Sequence, residues 1–307
     1  MRKKDFLFTI ITPSYNQGNF IEETLLSVKN QNYPFIEHIV IDGGSTDNTI
    51  SLLKKYEKEY NLKWISETDE GQSDAINKGF KIAKGDFVGW LNSDDVFVYK
   101  NILSKIVGLF DKNEEIDIIY GDALVIDENN NIKNIIKPPK WNYSFLLYGG
   151  SFIVQPAAFF RKNIIKNNPI DKKLDFAMDI EFWLRLGKKY NFLYIPEIFA
   201  GDRLHKNIKR FDSSGTDKFR YESRKIREEN GLVYNYKFHI LHYVFLFYIL
   251  FIRRISGIAE IFKIKKTNLA FNGRINNELY LLINQLNFNA ELKHLYLNLI
   301  TILKIFS

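Results

Sequence analysis

Apolar runs alternate with polar, turn-forming stretches through the first hundred residues. Runs of strand length lie at Phe6 to Ile11, Phe35 to Ile41, Leu62 to Ser66 and Phe87 to Leu91. Between them, apolar residues recur at helical spacing: Ile21, Leu25 and Val28; then Ile50, Leu53 and Tyr56; then Ala75, Ile76, Gly79, Phe80 and Ala83. Asn19 is placed to cap the first of these helices, with Glu22 and Glu23 favourable in its first turn. Pro13 ends the first strand, and Asn16-Gln17-Gly18 supplies a turn. This alternation predicts a parallel, doubly wound α/β sheet with right-handed crossovers.

The strands share a chemistry at one end. They finish in Ser14 and Asn16, in Asp42, in Glu67 and Asp69, and in Asp94 and Asp95. Taken alone, Asp94-Asp95 reads first as an N-cap pair for the next helix, around Ile102 to Phe110. In a parallel sheet, however, all these ends converge on one crevice, where ligands bind. Ionised carboxylates are rarely left buried and unpaired. The convergence therefore favours a site that holds a cation or a basic partner.

Past Asp95 the rhythm changes. Ile116 to Ile119 reads as a strand, and Leu124-Val125-Ile126 to Ile132 as a hairpin around Asn129-Asn130-Asn131. Pro138-Pro139 and Gly149-Gly150 punctuate an irregular aromatic segment. Ala157 to Phe160 reads as a strand, Asp179 to Lys189 as an amphipathic helix, and Phe192 to Ile195 as another strand, with a further one running toward Arg203-Leu204-His205. The stretch from Phe238 to Ile252 is nearly all apolar and is followed by Arg253, Arg254, Lys263, Lys265 and Lys266. It is short for a membrane span and carries two histidines, so it reads first as an interfacial helix, then as a buried packing helix, and last as a true span. Ile275 to Phe306 has helical spacing.

Composition narrows the chemistry. The 307-residue chain has no cysteine, which excludes disulfides, zinc–thiolate sites and thiol nucleophiles. Met1 to Asp5 runs directly into the first strand, too short for a secretory leader. The net charge of +7 suits an anionic substrate or membrane surface, although heavy use of Lys, Asn and Ile throughout explains part of it. No Walker lysine motif is present, and no Gly-x-Gly-x-x-Gly follows the first strand, so P-loop and dinucleotide readings lose support. Two acids at a strand end suit a divalent metal that holds a diphosphate.

Thr12-Pro13-Ser14-Tyr15-Asn16, Asp42-Gly43-Gly44-Ser45-Thr46-Asp47 and Asn92-Ser93-Asp94-Asp95, in that order and strand context, resemble the family 2 glycosyltransferases with a GT-A fold. Asp69 to Gly79, Asp179 to Leu186 and Arg203-Leu204-His205 extend the resemblance over residues 6 to 210. It implies a GT-A-like, Rossmann-type, mostly parallel sheet flanked by helices, plus a helical C-terminal appendage. The expected division is a catalytic domain over 1–215 (nucleotide-binding half 1–97, acceptor-side half 98–215) and a helical, membrane-associated region over 216–307.

The same resemblance implies an inverting transfer from a nucleotide-diphosphate sugar, a UDP-sugar first, to a hydroxyl of a glycan or lipid-linked acceptor. Thr12, Pro13, Ser14, Tyr15, Asn16 and Asp42 would hold the nucleotide, Asp42 toward the base. Asn92, Ser93 and Asp94 would meet the diphosphate, and Asp94, Asp95 and His205 would bind Mg²⁺ or Mn²⁺. Asp179 would be the general base, since an acceptor hydroxyl is a poor nucleophile until a carboxylate takes its proton. Capsule or O-antigen assembly at the cytoplasmic face of the cell membrane, with peripheral contact through 238–266 and no nucleic-acid partner, completes the expectation.

Each residue also has a plainer reading. Asp179 caps its helix, Glu181 is solvated or paired, and His205 is a satisfied structural histidine. Arg203 and Lys206 either bind diphosphate or are surface charge. Asp74 and Lys78 either contact the donor or pair at i,i+4. Trp90 and Trp183 are expected in the core, and Trp141 and Tyr148 as sugar platforms. Two departures stand out. Asn92 replaces a common Asp, and Ile76 replaces a common Arg, for which Lys78 is the candidate substitute. The rival functions are a nucleotidyltransferase of similar architecture and a non-catalytic membrane-bound scaffold.

Overall fold

The structure is a computed structural model that describes residues 5–206, 208, 213–233, 242 and 274–275. The strand–helix rhythm of the first hundred residues is realised. It comprises β1 (Phe8–Ser14), α1 (Ile21–Lys29), β2 (Ile36–Asp42), α2 (Thr49–Tyr56), β3 (Leu62–Ser66), α3 (Gln72–Ile82) and β4 (Phe87–Trp90). These four strands lie in the order β3-β2-β1-β4, all parallel. All seven residues of β1 are buried, as a strand covered on both faces requires.

The start of α1 differs from expectation. Its N-cap position is Phe20, and no side chain caps it. The amides of Phe20 and Ile21 both donate to the Gln17 carbonyl at 2.9 Å, so a backbone turn does the work assigned to Asn19.

After β4 the chain enters another strand instead of a helix. β5 (Val96–Phe97) pairs antiparallel with β9, and α4 (Ile102–Lys112) begins only after Asn101. The capping account of Asp94-Asp95 fails for this reason: Val96, Phe97 and Val98 are fully buried, and their packing carries the chain onward in extended form.

The second half contains β6 (Ile118–Asp127), β7 (Asn131–Ile136), β8 (Ala158–Arg161), α5 (Lys162–Asn167), α6 (Met178–Leu186), β9 (Phe192–Leu204), α7 (Ser213–Glu229) and β10 (Arg274–Ile275). The sequence suggests a broken pattern where β6 and β9 are each one continuous strand. Gly121 and Asp122 hide the continuity of β6; both are fully covered, with Gly121 packed against the Phe199 ring. β8 runs antiparallel between β4 and β6, and β9 lies parallel to β6.

Trp90 and Trp183 belong to the core, as expected. Trp141 does not fit a sugar platform. One of its faces stacks on Phe192 at 3.8 Å and 9°, and both Trp141 and Tyr148 pack against the core. Among the described residues no helix is long and apolar enough to cross a membrane. The expected interfacial stretch 238–266 and the helix over 275–306 lie outside the described residues, apart from 242 and 275. α7 runs through the expected boundary at 215/216 and packs against α6.

Behind the crevice, β1 and β2 bury a polar pair. Thr12 Oγ1 lies 2.9 Å from His38 Nε2, and His38 Nδ1 lies 2.7 Å from the Tyr60 hydroxyl. Burial pushes the His38 imidazole down to about 3 from its ordinary 6.5. The unfolded chain takes up this proton near 6.5 while the folded chain resists it, so stability falls as pH drops from 6.5 toward 3. The loss from this one group is expected to approach about 1.4 kcal/mol per pH unit. Urea unfolding of wild type and His38→Gln between pH 7 and 5 measures it; equal slopes for the two proteins would refute the assignment.

Candidate active site

The carboxyl ends of β1 to β4 open onto a cleft of about 760 Å³, a size that holds a small organic ligand. Its wall has three parts.

Pro13, Ser14, Tyr15, Gly43 and Asp69 form the first. Thr12, Asn16 and Asp42 lie behind this wall and shape it. Asn16 has a left-handed backbone, φ 51°, and ties two loops: its amide donates to Ser45 Oγ at 2.7 Å and its Oδ1 accepts the Thr46 amide at 2.8 Å. The Asp42 carboxylate is fully buried. It accepts the amides of Gly44 and Ser45 at 3.1 and 2.9 Å and the hydroxyls of Ser45 and Ser66 at 2.5 and 2.7 Å. With four donors on it, Asp42 organises its loop and is not part of the cleft wall. The acid that reaches the cleft here is Asp69. Its carboxylate lies 3.0 Å from where a side chain on Gly43 would project, and its Oδ1 accepts the Gly71 amide at 2.9 Å. Ser14 Oγ is buried on this wall without a hydrogen-bond partner.

Asp74 and Lys78 do not line the cleft. Lys78 Nζ sits 2.7 Å from Glu67 and 3.4 Å from Asp74, and Asp74 also holds Lys172 at 2.5 Å. The hydrogen bond from Lys172 helps hold the Asp74 carboxyl below its usual range. The pairing account of these residues is the one realised, with Lys78 held by Glu67 and Asp74 off the cleft wall.

Asn92, Ser93, Asp94, Asp95, Asp202 and His205 form the central part. Asp94 Oδ2 lies 3.0 Å from His205 Nε2, and the His205 ring packs on Phe20 at 4.4 Å. Asp95 is turned inward, with 1% of its surface exposed. Its Oδ1 accepts the Arg203 amide at 2.9 Å and its Oδ2 accepts Asn92 Nδ2 at 3.0 Å. Burial, then the charges of Asp94 and Asp202, raise its pKa well above the ordinary carboxylate value. Among the described residues no group of three or more His, Asp or Glu side chains is gathered for a metal. Of the expected Asp94, Asp95 and His205 set, Asp94 and His205 meet each other on the cleft wall, while each oxygen of Asp95 accepts one protein donor.

Arg203 is neither a surface charge nor an open diphosphate ligand. Its guanidinium is buried and donates to the Asp94 carbonyl at 2.7 Å, the Asp127 carbonyl at 3.1 Å, Asn130 Oδ1 at 2.6 Å and Glu23 Oε2 at 2.6 Å. Lys206 is exposed and off the cleft wall.

The third part comprises Asp175, Phe176, Asp179 and Phe219. Asp179 is the second residue of α6, whose N-cap position is Ala177 with no side-chain cap; Asp179 Oδ1 accepts the Ile180 amide at 2.8 Å. The carboxylate therefore sits inside the first turn and on the cleft wall, not at the cap. Glu181 pairs with Arg185 at 2.6 Å, the plain reading. Asp69 lines the cleft as its strand-end position implied, while Asp202, Gln155 and Phe219 also line it and were not singled out from the sequence. Asp202 lies beside the Arg203-Leu204-His205 stretch, and that adjacency was its one legible signal.

The Glycosyl transferase family 2 profile matches residues 9–168, more than half of the chain. The chain belongs to glycosyltransferase family 2. Among its relatives, an uncharacterized glycosyltransferase of Methanocaldococcus jannaschii is 27% identical over 208 residues, which cover 64% of this chain and 71% of that one. One from Haemophilus influenzae is 32% identical over 179 residues, 57% of this chain and 71% of that one. Against a longer relative from Rickettsia conorii, 29% identical, the match spans only 34% of its length. Two solved structures share the fold. S. aureus TarS in complex with UDP-GlcNAc has a TM-score of 0.56 at 20% identity, covering 85% of this chain and 77% of that one. The mannosyltransferase PcManGT from Pyrobaculum calidifontis, in complex with GDP-Man and Mn²⁺, has a TM-score of 0.59 at 16% identity, covering 86% and 77%.

Within this family 2 glycosyltransferase, the asparagine at 92 has a physical reason. Its Oδ1 accepts Trp90 Nε1 and Gln72 Nε2, both at 2.9 Å, while its Nδ2 donates to Asp95. A carboxylate at 92 would point an oxygen at Asp95 where a donor now stands. Asn92→Asp is expected to cost about 1–3 kcal/mol at neutral pH through one lost hydrogen bond and one added like charge. Thermal unfolding at pH 7.5 checks this, and an unchanged midpoint contradicts it.

Proposed function

We propose that this chain is a metal-dependent, inverting sugar transferase that uses a UDP-sugar donor and a hydroxyl of a glycan or lipid-linked acceptor. The observation that carries the reading is the charge of the cleft. Its wall carries Asp69, Asp94, Asp95, Asp175, Asp179 and Asp202 against Arg203 and His205, and no lysine among the described residues. Arg203 is already engaged by an acid and three neutral acceptors. A diphosphate entering such a wall meets like charge, unless a divalent cation enters with it. Asp94 and His205 fit that cation: one hard carboxylate oxygen and one imidazole nitrogen, with the remaining positions left to phosphate oxygens. A metal held there would neutralise charge on the departing diphosphate.

The chain's own residues supply the rest. Asp95, held by Asn92 and the Arg203 amide, fixes the backbone that aims Asp94. Pro13, Ser14 and Tyr15 receive the nucleoside, with Asp69 as the acceptor that faces it. Asp179 takes the proton of the acceptor hydroxyl as its oxygen bonds to the anomeric carbon and the bond to the diphosphate breaks. One displacement inverts the anomeric centre and needs no second carboxylate nucleophile. The resemblance and the basic, apolar segment 238–266 support assembly of a bacterial surface polysaccharide at the inner face of the membrane as the setting.

Two measurements test this. Calorimetric titration with UDP-sugars is expected to show binding with Mn²⁺ that weakens at least about tenfold (~1.4 kcal/mol) in a chelator; equal affinity in both conditions overturns the metal reading. Asp179→Asn should lower the transfer rate by roughly 10²–10⁴-fold while leaving donor affinity unchanged. Turnover at the wild-type rate would remove Asp179 as the base and leave the scaffold or nucleotidyltransferase alternatives to be weighed.

A further inference from the structure

The loop that leads into α6 is gripped from two sides. On one side stands α3. Ser73 Oγ donates to the Leu174 carbonyl at 3.0 Å, and the Asn77 side chain bonds both backbone groups of Ile170, at 2.9 and 2.8 Å. On the other side stands α7, which lies beyond residues 9–168. The Glu222 carboxylate accepts three consecutive backbone amides: Asp175 at 3.2 Å on Oε1, and Phe176 and Ala177 at 2.9 Å each on Oε2. Three consecutive amides aimed at one anion make a rigid cradle. Ala177 is the residue at which α6 starts, and Asp179 follows two residues later.

α7 is itself fixed to the body of the protein. Ile226 and Leu232 are buried in the main core, Arg227 Nη1 donates to the Leu147 carbonyl at 3.3 Å, and Lys188 Nζ donates to Asn230 Oδ1 at 2.7 Å. One turn before Glu222, Phe219 reaches the cleft wall. The grip on residues 175–177 therefore comes from a helix whose position is set elsewhere. α6 has no side-chain cap, and Glu222 accepts the amide of its N-cap residue Ala177 together with those of the two residues before it.

We propose that Glu222 is a positioning residue for the sugar-transfer step: it holds the 175–177 backbone so that the carboxylate of Asp179 meets the acceptor hydroxyl. This rests on the reading of Asp179 given above. The donor-side wall, built on β1 to β4, does not depend on Glu222, so its loss falls on the chemical step and spares donor binding.

The test uses the full chain with Mn²⁺ and UDP-GlcNAc, following UDP release, with hydrogen exchange as a second readout. Glu222→Ala is expected to lower kcat about ten- to a hundredfold with KM for UDP-GlcNAc within about twofold. Exchange should rise in the 174–180 segment while β1 to β4 stay protected. Glu222→Gln keeps an acceptor oxygen, so it should recover most of kcat. Wild-type kcat in Glu222→Ala overturns the proposal, as does a rise in KM at constant kcat. So does failure of Glu222→Gln to recover activity when its exchange pattern matches wild type. Asp179→Asn, run in parallel, separates the two ideas. An inactive Asp179→Asn beside a fully active Glu222→Ala sinks the positioning role alone. An active Asp179→Asn sinks the base and, with it, this role.

Discussion

A buried guanidinium holds the cleft end of this protein together. Arg203 sits at the end of β9 with its charge almost wholly removed from water, a state tolerated only when every donor is satisfied and the charge is paired. Its four partners come from three places: the Asp94 carbonyl after β4, the Asp127 carbonyl and Asn130 at the β6–β7 turn, and Glu23 on α1. Because its own amide also fixes Asp95, one residue sets where β4 ends, where β9 ends and how the acids between them are aimed. Removing Glu23 would leave the buried charge unpaired, and removing a neutral acceptor would leave a buried donor unsatisfied, so the site is built as a unit and not as separable parts.

Around that clamp the protein accumulates negative charge. Asp94, Asp95 and Asp202 lie close enough that burial and mutual repulsion lift the Asp95 pKa well above the ordinary range. Asn92 is the concession that makes the cluster tolerable, since its amide gives Asp95 a donor while accepting from Trp90 and Gln72. Concentrated like charge is costly in an empty protein and useful in one that binds a cation with its substrate.

The sequence was legible where structure follows local rules. The period of apolar positions marks β1 to β4 and α1 to α4, and the convergence of parallel strand ends marks the cleft. Legibility failed where long-range contacts decide. Nothing local says that Asp42 will be consumed by Gly44, Ser45 and Ser66 while Asp69 takes the exposed place over Gly43. Nor does anything local say that Arg203 turns inward; a charge near a surface motif looks the same in sequence whether it is solvated or buried. The continuity of β6 was lost because Gly121 and Asp122 read as a break, and in the fold each is covered by tertiary packing. Glu222 carried no signal, because a lone acid on a polar helix acquires meaning only from the loop it faces.

One feature of β9 bears on how the protein can vary. Its pairing with β6 is regular up to Ile195, resumes at Ile198, and is regular again from Ala200 to Leu204, so extra residues are taken up as bulges around Pro196, Glu197 and Phe199. Pro196 and Glu197 are exposed there, and a proline without an amide proton suits a place where the ladder is interrupted. The irregularity isolates the end of the strand that carries Asp202 and Arg203 from the end that carries Phe192. An insertion or deletion in the bulge can be absorbed as slack, whereas the same change after Ala200 would flip Arg203 to the opposite face. A change in length is therefore absorbed on one side of Ala200 and disruptive on the other.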